Sequence, residues 1–332
     1  MSRAAGLPRL DGEPAAEPRH RRRPIRLARN SLTPLPPARV RMGLMDSFKS
    51  LLSGGKCDIR SRFELMREAI SGTMSDFYMA RDRKNGQIVG LKVLDAKKTA
   101  EFEARFTGLT KPVEGEIAMK LAHPGIVKTL EHGLTTTGQQ YVVMEFLDGP
   151  GLNSLLIAKS SKLDGRRVKL IRDAAEAINA LHKAGYIHRD ICPRNFVVAP
   201  DISWIKLIDF GLTVPATPEF MQPGNRTGTP NYMAPELVRR QRTDHRLDVF
   251  SFGVTAYEIC TFELPWERGT TGQVAMTHAT RPPRDILEHR PQLNRKLAGA
   301  IMSCVDPTAA KRCPSIEAFL KAIRGVERET ES

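Results

Sequence analysis

Two acidic segments in the middle of this 332-residue chain hold residue types that bind metal ions and move protons. Asp190 and Asn195 stand five residues apart in Ile187-His188-Arg189-Asp190-Ile191-Cys192-Pro193-Arg194-Asn195, and Asp209 follows in Asp209-Phe210-Gly211. Carboxylate and amide oxygens are the hard donors that magnesium prefers. The five cysteines, Cys57, Cys192, Cys260, Cys304 and Cys313, form no Cys-x-x-Cys pair and no zinc-ligand spacing. They read as reduced thiols and, Cys192 apart, as small buried side chains, not as a disulfide framework.

Such groups need elements to hold them. Strand-like segments run at about 63–69, 76–82 and 87–94, the last two joined at Lys84-Asn85-Gly86. Asn-Gly between two such runs signals a hairpin. A helical stretch leads to His123-Pro124-Gly125, and two more strand-like runs end in Tyr141-Val142-Val143-Met144. After Gly149-Pro150-Gly151 the period turns helical, with Ile171, Ala174, Ala175, Ile178 and Leu181 on one face. The acidic loops flank a run of strand character at 196–208, and helical segments follow near 245–261, 292–304 and 315–325.

Farther on come Gly228-Thr229-Pro230-Asn231-Tyr232-Met233-Ala234-Pro235-Glu236 and Asp248-Val249-Phe250-Ser251-Phe252-Gly253. On these four segments, in this order, the chain resembles the eukaryotic-type protein kinases, their bacterial members included, over about 270 residues. The resemblance implies an α+β, two-lobed fold. A small, mostly β N-lobe with one helix would span 63–147 and a larger, mostly α C-lobe 148–326, with a linker at 45–62 and a tail at 327–332. It also implies ATP and Mg2+, and transfer of the γ-phosphate to serine or threonine of protein substrates, with phosphorylation of the chain's own activation loop.

Phosphoryl transfer needs metal ions held, a nucleophile placed and charge neutralised. By resemblance, Asp190 accepts or orients the substrate hydroxyl proton, and Asn195 and Asp209 hold magnesium. Lys92, in Val89-Gly90-Leu91-Lys92, takes the place of the third-strand lysine that holds the α and β phosphates. Its carboxylate partner is Glu114, with Glu116 in reserve, and Pro112 falls in the first turn of that helix. Glu236 pairs with Arg312 of Lys311-Arg312-Cys313-Pro314-Ser315, and Asp248 braces the catalytic loop from below. Met144 lines the back of the adenine pocket, Glu145 to Leu147 form the hinge, and Val197 belongs to the nucleotide site. Arg189, just before Asp190, implies control by phosphorylation between Asp209 and Glu236, with Thr227 the first candidate and Thr217 the second. Thr229 is expected to be structural.

The chain also departs from the family. Aligning Phe77-Tyr78-Met79-Ala80 with the family's Val-Tyr-x-Ala puts Ile70, Gly72 and Ser75 at the three glycine positions of the phosphate loop. A Cβ there keeps backbone N–H groups away from phosphate, so weaker nucleotide handling is expected. Phe77 stands where valine is usual and Gly90 where alanine is usual; the larger ring should fill the space of the missing methyl. Cys192 replaces a lysine that contacts the γ-phosphate. Arg194, at a position where tyrosine kinases often carry arginine, is the group able to replace that charge. Gly228-Thr229-Pro230 is the serine/threonine form of the substrate loop.

The composition, 41% hydrophobic and 27% charged, is that of a globular protein. There is no apolar run of about eighteen residues, which argues against a membrane-spanning receptor, and the reduced thiols fit a cytoplasmic protein. Half of the net charge of +14 comes from residues 1–42, with ten arginines against Asp11, Glu13 and Glu17. Rich in proline and poor in large apolar residues, residues 1–44 are expected to be a disordered arm, or upstream sequence read through an over-long start before Met42 or Met45. Such an arm could bind nucleic acid or another acidic partner by counterion release. Two other readings stay open: a nucleotide-binding pseudokinase scaffold, to which the degraded loop and Cys192 point, and tyrosine or dual specificity. Retention of Lys92, Glu114, Asp190, Asn195 and Asp209 favours an enzyme.

Overall fold

Alternating patterns between Phe63 and Glu145 build one antiparallel sheet, of strands β1 (Phe63–Leu65), β2 (Ile70–Ser71), β3 (Ser75–Asp82), β4 (Ile88–Leu94), β5 (Thr129–Leu134) and β6 (Gln140–Glu145). The structure, a computed structural model, describes residues 55–67, 70–72, 74–106, 108–109, 111–223, 227–269 and 272–330. The expected arm at 1–44 and the first part of the expected linker, to residue 54, lie outside them. Strand order is β1-β3-β4-β6-β5, with β2 also paired to β3. Gly86, at φ +73°, makes the β3–β4 turn that Asn85-Gly86 announced. The run expected at 63–69 stops at Leu65, since Leu65 and Met66 both face water and leave no apolar face to continue.

Register decides what each face of the sheet carries. Phe77 lies opposite Lys92, and Gly90 lies between Met79 and Met144, so these residues share the face that looks into the cleft. The other face packs Ala80, Val89, Leu91, Tyr141 and Val143 with Phe63 into a small core. The N-lobe holds three helical segments where one was expected: α1 (Ile59–Arg62), α2 (Ala96–Glu103) and α3 (Glu114–Met119). Pro112 does not occupy the first turn of α3, because extended Val113 is its N-cap and the proline sits one residue further out.

The C-lobe comprises α4 (Leu152–Ile157), α5 (Arg167–Lys183), α6 (Pro235–Val238), α7 (Arg246–Thr261), α8 (Gly272–Thr280), α9 (Ile286–His289), α10 (Arg295–Cys304) and α11 (Ile316–Ala322). The apolar face read from sequence on α5 is fully buried in its core. Two strand pairs line the cleft floor, β7 (Tyr186–Ile187) with β10 (Val214–Pro215) and β8 (Phe196–Val198) with β9 (Ile205–Leu207). Among the described residues no helix is long and apolar enough to cross a membrane.

Both expected boundaries need correction. Residues 57–62 are packed rather than a linker: the Cys57 N–H donates to the Leu134 carbonyl at 2.8 Å, and Arg62 forks onto Asp82 and Glu131, at 2.8 Å each through Nη2. Residues 327–330 are no tail, because Glu329 is buried and accepts from the Arg167 N–H at 3.0 Å, Arg167 Nη1 at 2.8 Å and Arg290 Nη2 at 2.6 Å.

Candidate active site

Strand β4 and helix α3 meet the Asp209 loop at one ammonium group. Lys92 Nζ donates to Glu114 Oε1 and to Asp209 Oδ1, at 2.7 Å each. Glu114 is 4% exposed, whereas Glu116 faces water, so the first choice of partner stands and the reserve falls away. Burial disfavours the Lys92 ammonium, yet Asp209 and Glu114 outweigh it and hold its pKa above the ordinary value. Burial likewise pushes the Asp209 carboxyl up, and Lys92 more than offsets this, leaving it at about 2. Asp209 is therefore an anion at any physiological pH. Phe210 ties the loop to the same helix, its N–H donating to Glu114 Oε1 at 3.2 Å, and its ring meets His188 edge-on at 5.7 Å.

The loop that carries Asp190 hangs from Asp248, as the resemblance implied. The fully buried Asp248 accepts from the His188 N–H at 2.7 Å, the Arg189 N–H at 2.8 Å and His182 Nε2 at 2.9 Å. Asp190 Oδ1 accepts from both the N–H and the hydroxyl of Thr229, at 2.8 Å each. Asn195 donates through Nδ2 to the Asp190 carbonyl at 2.7 Å and to Asp190 Oδ2 at 3.1 Å. With its NH2 engaged there, the amide oxygen of Asn195 remains as a donor for a cation. Asn195 and Asp209 thus supply one neutral and one anionic oxygen, a set that fits magnesium shared with phosphate oxygens. Among the described residues no group of three or more His, Cys, Asp or Glu side chains forms a metal cage, and such sharing needs none. Glu236 and Arg312 pair as expected, at 2.7 and 2.9 Å.

On the side expected to face adenine, a Cβ built on Gly90 would lie 2.9 Å from Phe77 Cζ and 3.0 Å from Met144 Cγ. The Phe77 ring occupies the place of the missing methyl. Leu147 packs against the main core and Val197 is half-buried in β8. The Glu145 carboxylate accepts through Oε1 from the Lys128 N–H at 2.8 Å and from Lys206. The loop expected to hold phosphate is closed on itself: the Gly72 N–H donates to the Ser75 carbonyl at 2.7 Å. Ile70 pairs with Phe77 across that hairpin.

Cys192 is fully buried beside Ile187, Val214 and Tyr232, with its sulfur 3.5 Å from Thr229 Oγ1. Burial pushes its thiol up to about 12, so it carries no charge. Arg194 is exposed and donates to Thr229 Oγ1 at 2.9 Å, which places its guanidinium one hydroxyl away from Asp190.

Among the residues expected to be regulatory, Arg189 is buried at φ +71°, and burial pulls its guanidinium down to about 10 against the opposing Asp248. Thr227 is enclosed, 8% exposed, next to Gly228, which lies against the Arg189 carbonyl. Thr217 is exposed and hydrogen-bonded to Glu219. Sequence reasoning missed Lys111, a buried lysine ahead of α3 whose ammonium burial lowers and which lies within the electrostatic reach of Glu114 and Arg189. Only its place two residues before an α3 N-cap could have marked it.

A protein kinase domain family profile matches residues 63–322. The chain is 29% identical over 274 residues to the serine/threonine-protein kinase pkn3 of Myxococcus xanthus, covering 78% of this chain and 48% of that protein. It is 31% identical over 233 residues to the serine/threonine-protein kinase PknB of Mycobacterium tuberculosis, covering 68% and 36% respectively. A third relative, pkn2 of Myxococcus xanthus, is 29% identical over 272 residues, covering 79% and 32%. The chain thus spans half or less of the length of these relatives.

Proposed function

The chain belongs to the protein kinase domain family, and from that premise we propose that it transfers the γ-phosphate of ATP to serine or threonine hydroxyls of proteins. The observation that carries this reading is the closed ion set of Lys92, Glu114 and Asp209, with the bonded pair of Asp190 and Asn195 tied to the Asp209 loop by the Ile208 N–H, which donates to the Asn195 carbonyl at 2.8 Å. Asp190, fixed through Oδ1 by Thr229, has on Oδ2, beside the one N–H it accepts from Asn195, room to orient the incoming hydroxyl and take its proton. Lys92 holds phosphate oxygens with an ammonium that stays charged. Asn195 and Asp209 would hold magnesium, which when bound neutralises charge on the transferring phosphoryl group. Arg194 replaces the positive charge that Cys192 does not provide. Thr229 on Asp190 supports the serine/threonine form of the platform.

Control would fall on the segment between Asp209 and Glu236. Thr217 is accessible as it stands, and Thr227 reaches another active site only after its segment opens; a phosphate there meets Arg189. The five free cysteines support a reducing compartment, the cytoplasm. The basic arm remains a site for an acidic partner.

The neutral thiol of Cys192 and the self-closed phosphate loop favour a second reading, a nucleotide-binding scaffold without transfer. Labelled γ-phosphate, a general basic protein as acceptor and an Asp190→Asn control separate the two. Label on serine or threonine that vanishes in the variant is the expected result. Magnesium-dependent ATP binding without label would put the scaffold in its place, and label on tyrosine would overturn the acceptor class.

A further inference from the structure

Away from the cleft, two thiols face each other in the C-lobe. Cys304 ends α10, and Cys313 follows Arg312 in the loop that leads into α11. The Cys313 N–H donates to the Ser303 carbonyl at 2.9 Å, which lays the two segments side by side. Each thiol alters the other: burial and Cys313 push Cys304 well up, while contact with Cys304 draws Cys313 down to about 7. Cys304 is fully buried and Cys313 is 9% exposed, so the more acidic thiol is also the one nearer solvent. That is the division expected of an attacking and a resolving cysteine.

The neighbour of this pair is the residue that holds the substrate platform. Besides its fork onto Glu236, Arg312 donates through Nη1 to the Arg246 carbonyl at 2.7 Å and through Nε to the Asp306 carbonyl at 3.0 Å. Its guanidinium sits 4.9 Å from the centre of the Phe250 ring. A disulfide requires sulfurs about 2.05 Å apart, far inside the contact distance of two thiols. Cys304 has little room to move, because α7 packs against it: a Cβ on Gly253 would lie 2.6 Å from Cys304 Cβ. The displacement therefore falls on the loop that carries Cys313, and with it Arg312.

We propose that Cys304 and Cys313 are an oxidation site, joined by hydrogen peroxide into a disulfide that shifts Arg312, loosens its pair with Glu236 and lowers transfer. In the first step the Cys313 sulfur attacks peroxide, the O–O bond breaks, a sulfenic acid forms and one water leaves. In the second, Cys304 attacks that sulfur, the S–S bond forms and the S–O bond breaks. The Cys304 proton departs with the hydroxide as a second water. Both thiols are oxidised, both peroxide oxygens are reduced, and a dithiol reverses the change.

The effect on transfer rests on the kinase reading; the disulfide and the loosened latch do not. The full chain is treated with hydrogen peroxide, unfolded, alkylated with iodoacetamide and mapped by mass spectrometry. A Cys304–Cys313 linked peptide is expected, with transfer falling about fivefold or more and returning with dithiothreitol. Cys304→Ala and Cys313→Ala should each hold their transfer under peroxide, with Cys313→Ser in reserve should one of them fail to fold. The latch is read without catalysis by trypsin cleavage after the exposed Arg239 and Arg240, which should quicken on oxidation and in reduced Glu236→Gln. Oxidising Glu236→Gln should then add little, since both changes act on one contact. Two thiols that remain open to alkylation overturn the site. A disulfide that leaves cleavage unchanged, or that speeds it equally in Glu236→Gln, overturns the coupling. A reduced chain without transfer overturns the kinase reading, and the mapping and cleavage then judge this proposal alone.

Discussion

At the scale of single residues, the cleft is a set of exchanges in which one departure answers another. Gly90 and Phe77 share a face, and the ring stands where a methyl would be. Gly90→Ala alone should therefore overpack the site, costing about 1–3 kcal/mol and raising KM for ATP. Adding Phe77→Val should restore both; urea unfolding and ATP titration of the two singles and the double close the cycle, and simple additivity would refute the exchange. This pair was legible in the sequence because the resemblance aligned Phe77 and Gly90 with two positions that face the adenine in the family. The fate of Cys192 was not, since a short thiol takes its direction from whatever apolar cluster surrounds it, here Ile187, Val214 and Tyr232. With that position uncharged, Arg194→Ala should lower kcat about tenfold, or about 1.4 kcal/mol, with KM for ATP little changed, and Arg194→Lys should recover part of it. Equal losses in kcat and in ATP binding, read by steady-state kinetics, would assign Arg194 to ground-state binding instead.

At the scale of elements, helix α3 shows packing overruling propensity. Gly115 follows Glu114 directly, and a Cβ on it would fall 2.3 Å from both Cβ and Cγ of His132 on β5. By propensity alone Gly115→Ala should stabilise the helix by about 1 kcal/mol. The clash is with the root of a side chain fixed to a strand, not with a flexible end, so overpacking of about 1–3 kcal/mol should win. The variant is expected to unfold at lower urea and to lose kcat/KM, because α3 can relieve the clash only by carrying Glu114 away from Lys92. Greater stability with unchanged activity would show that β5 yields instead. The same balance explains which elements could be read in advance. Helix α5 announced itself by a long apolar face, whereas α3 has six residues and α9 four, too short for a period to declare itself. Pro112 was misplaced for a related reason: a proline marks the neighbourhood of a helix start, while the start itself is set by where Glu114 must meet Lys92.

At the scale of the whole molecule, the folded unit outruns the family match at both ends, with Arg62 clamping Asp82 and Glu131 above and Glu329 joining Arg167 to Arg290 below. Neither clamp was legible, because ion pairs between residues 20 to 162 positions apart leave no local pattern. Cutting the chain after residue 322, or replacing Glu329 with alanine, takes from Arg167 its buried carboxylate partner and leaves it the exposed Asp164 alone. Loss of one partner of a buried pair costs about 3–5 kcal/mol, so urea unfolding should report a drop of that order. The pH dependence gives a sharper test. Burial pushes the Glu329 carboxyl up, but the Arg167 N–H and the two guanidiniums outweigh it and hold the pKa below its ordinary value. A carboxyl that is more acidic folded than unfolded adds stability above its unfolded pKa and loses it as pH falls through the folded one. Wild type should therefore lose stability more steeply than Glu329→Gln between about pH 5 and pH 3, while the difference between them stays constant above about pH 6. Parallel curves down to pH 3 would mean that Glu329 holds the C-terminal segment through packing and neutral hydrogen bonds, and that its charge does not matter.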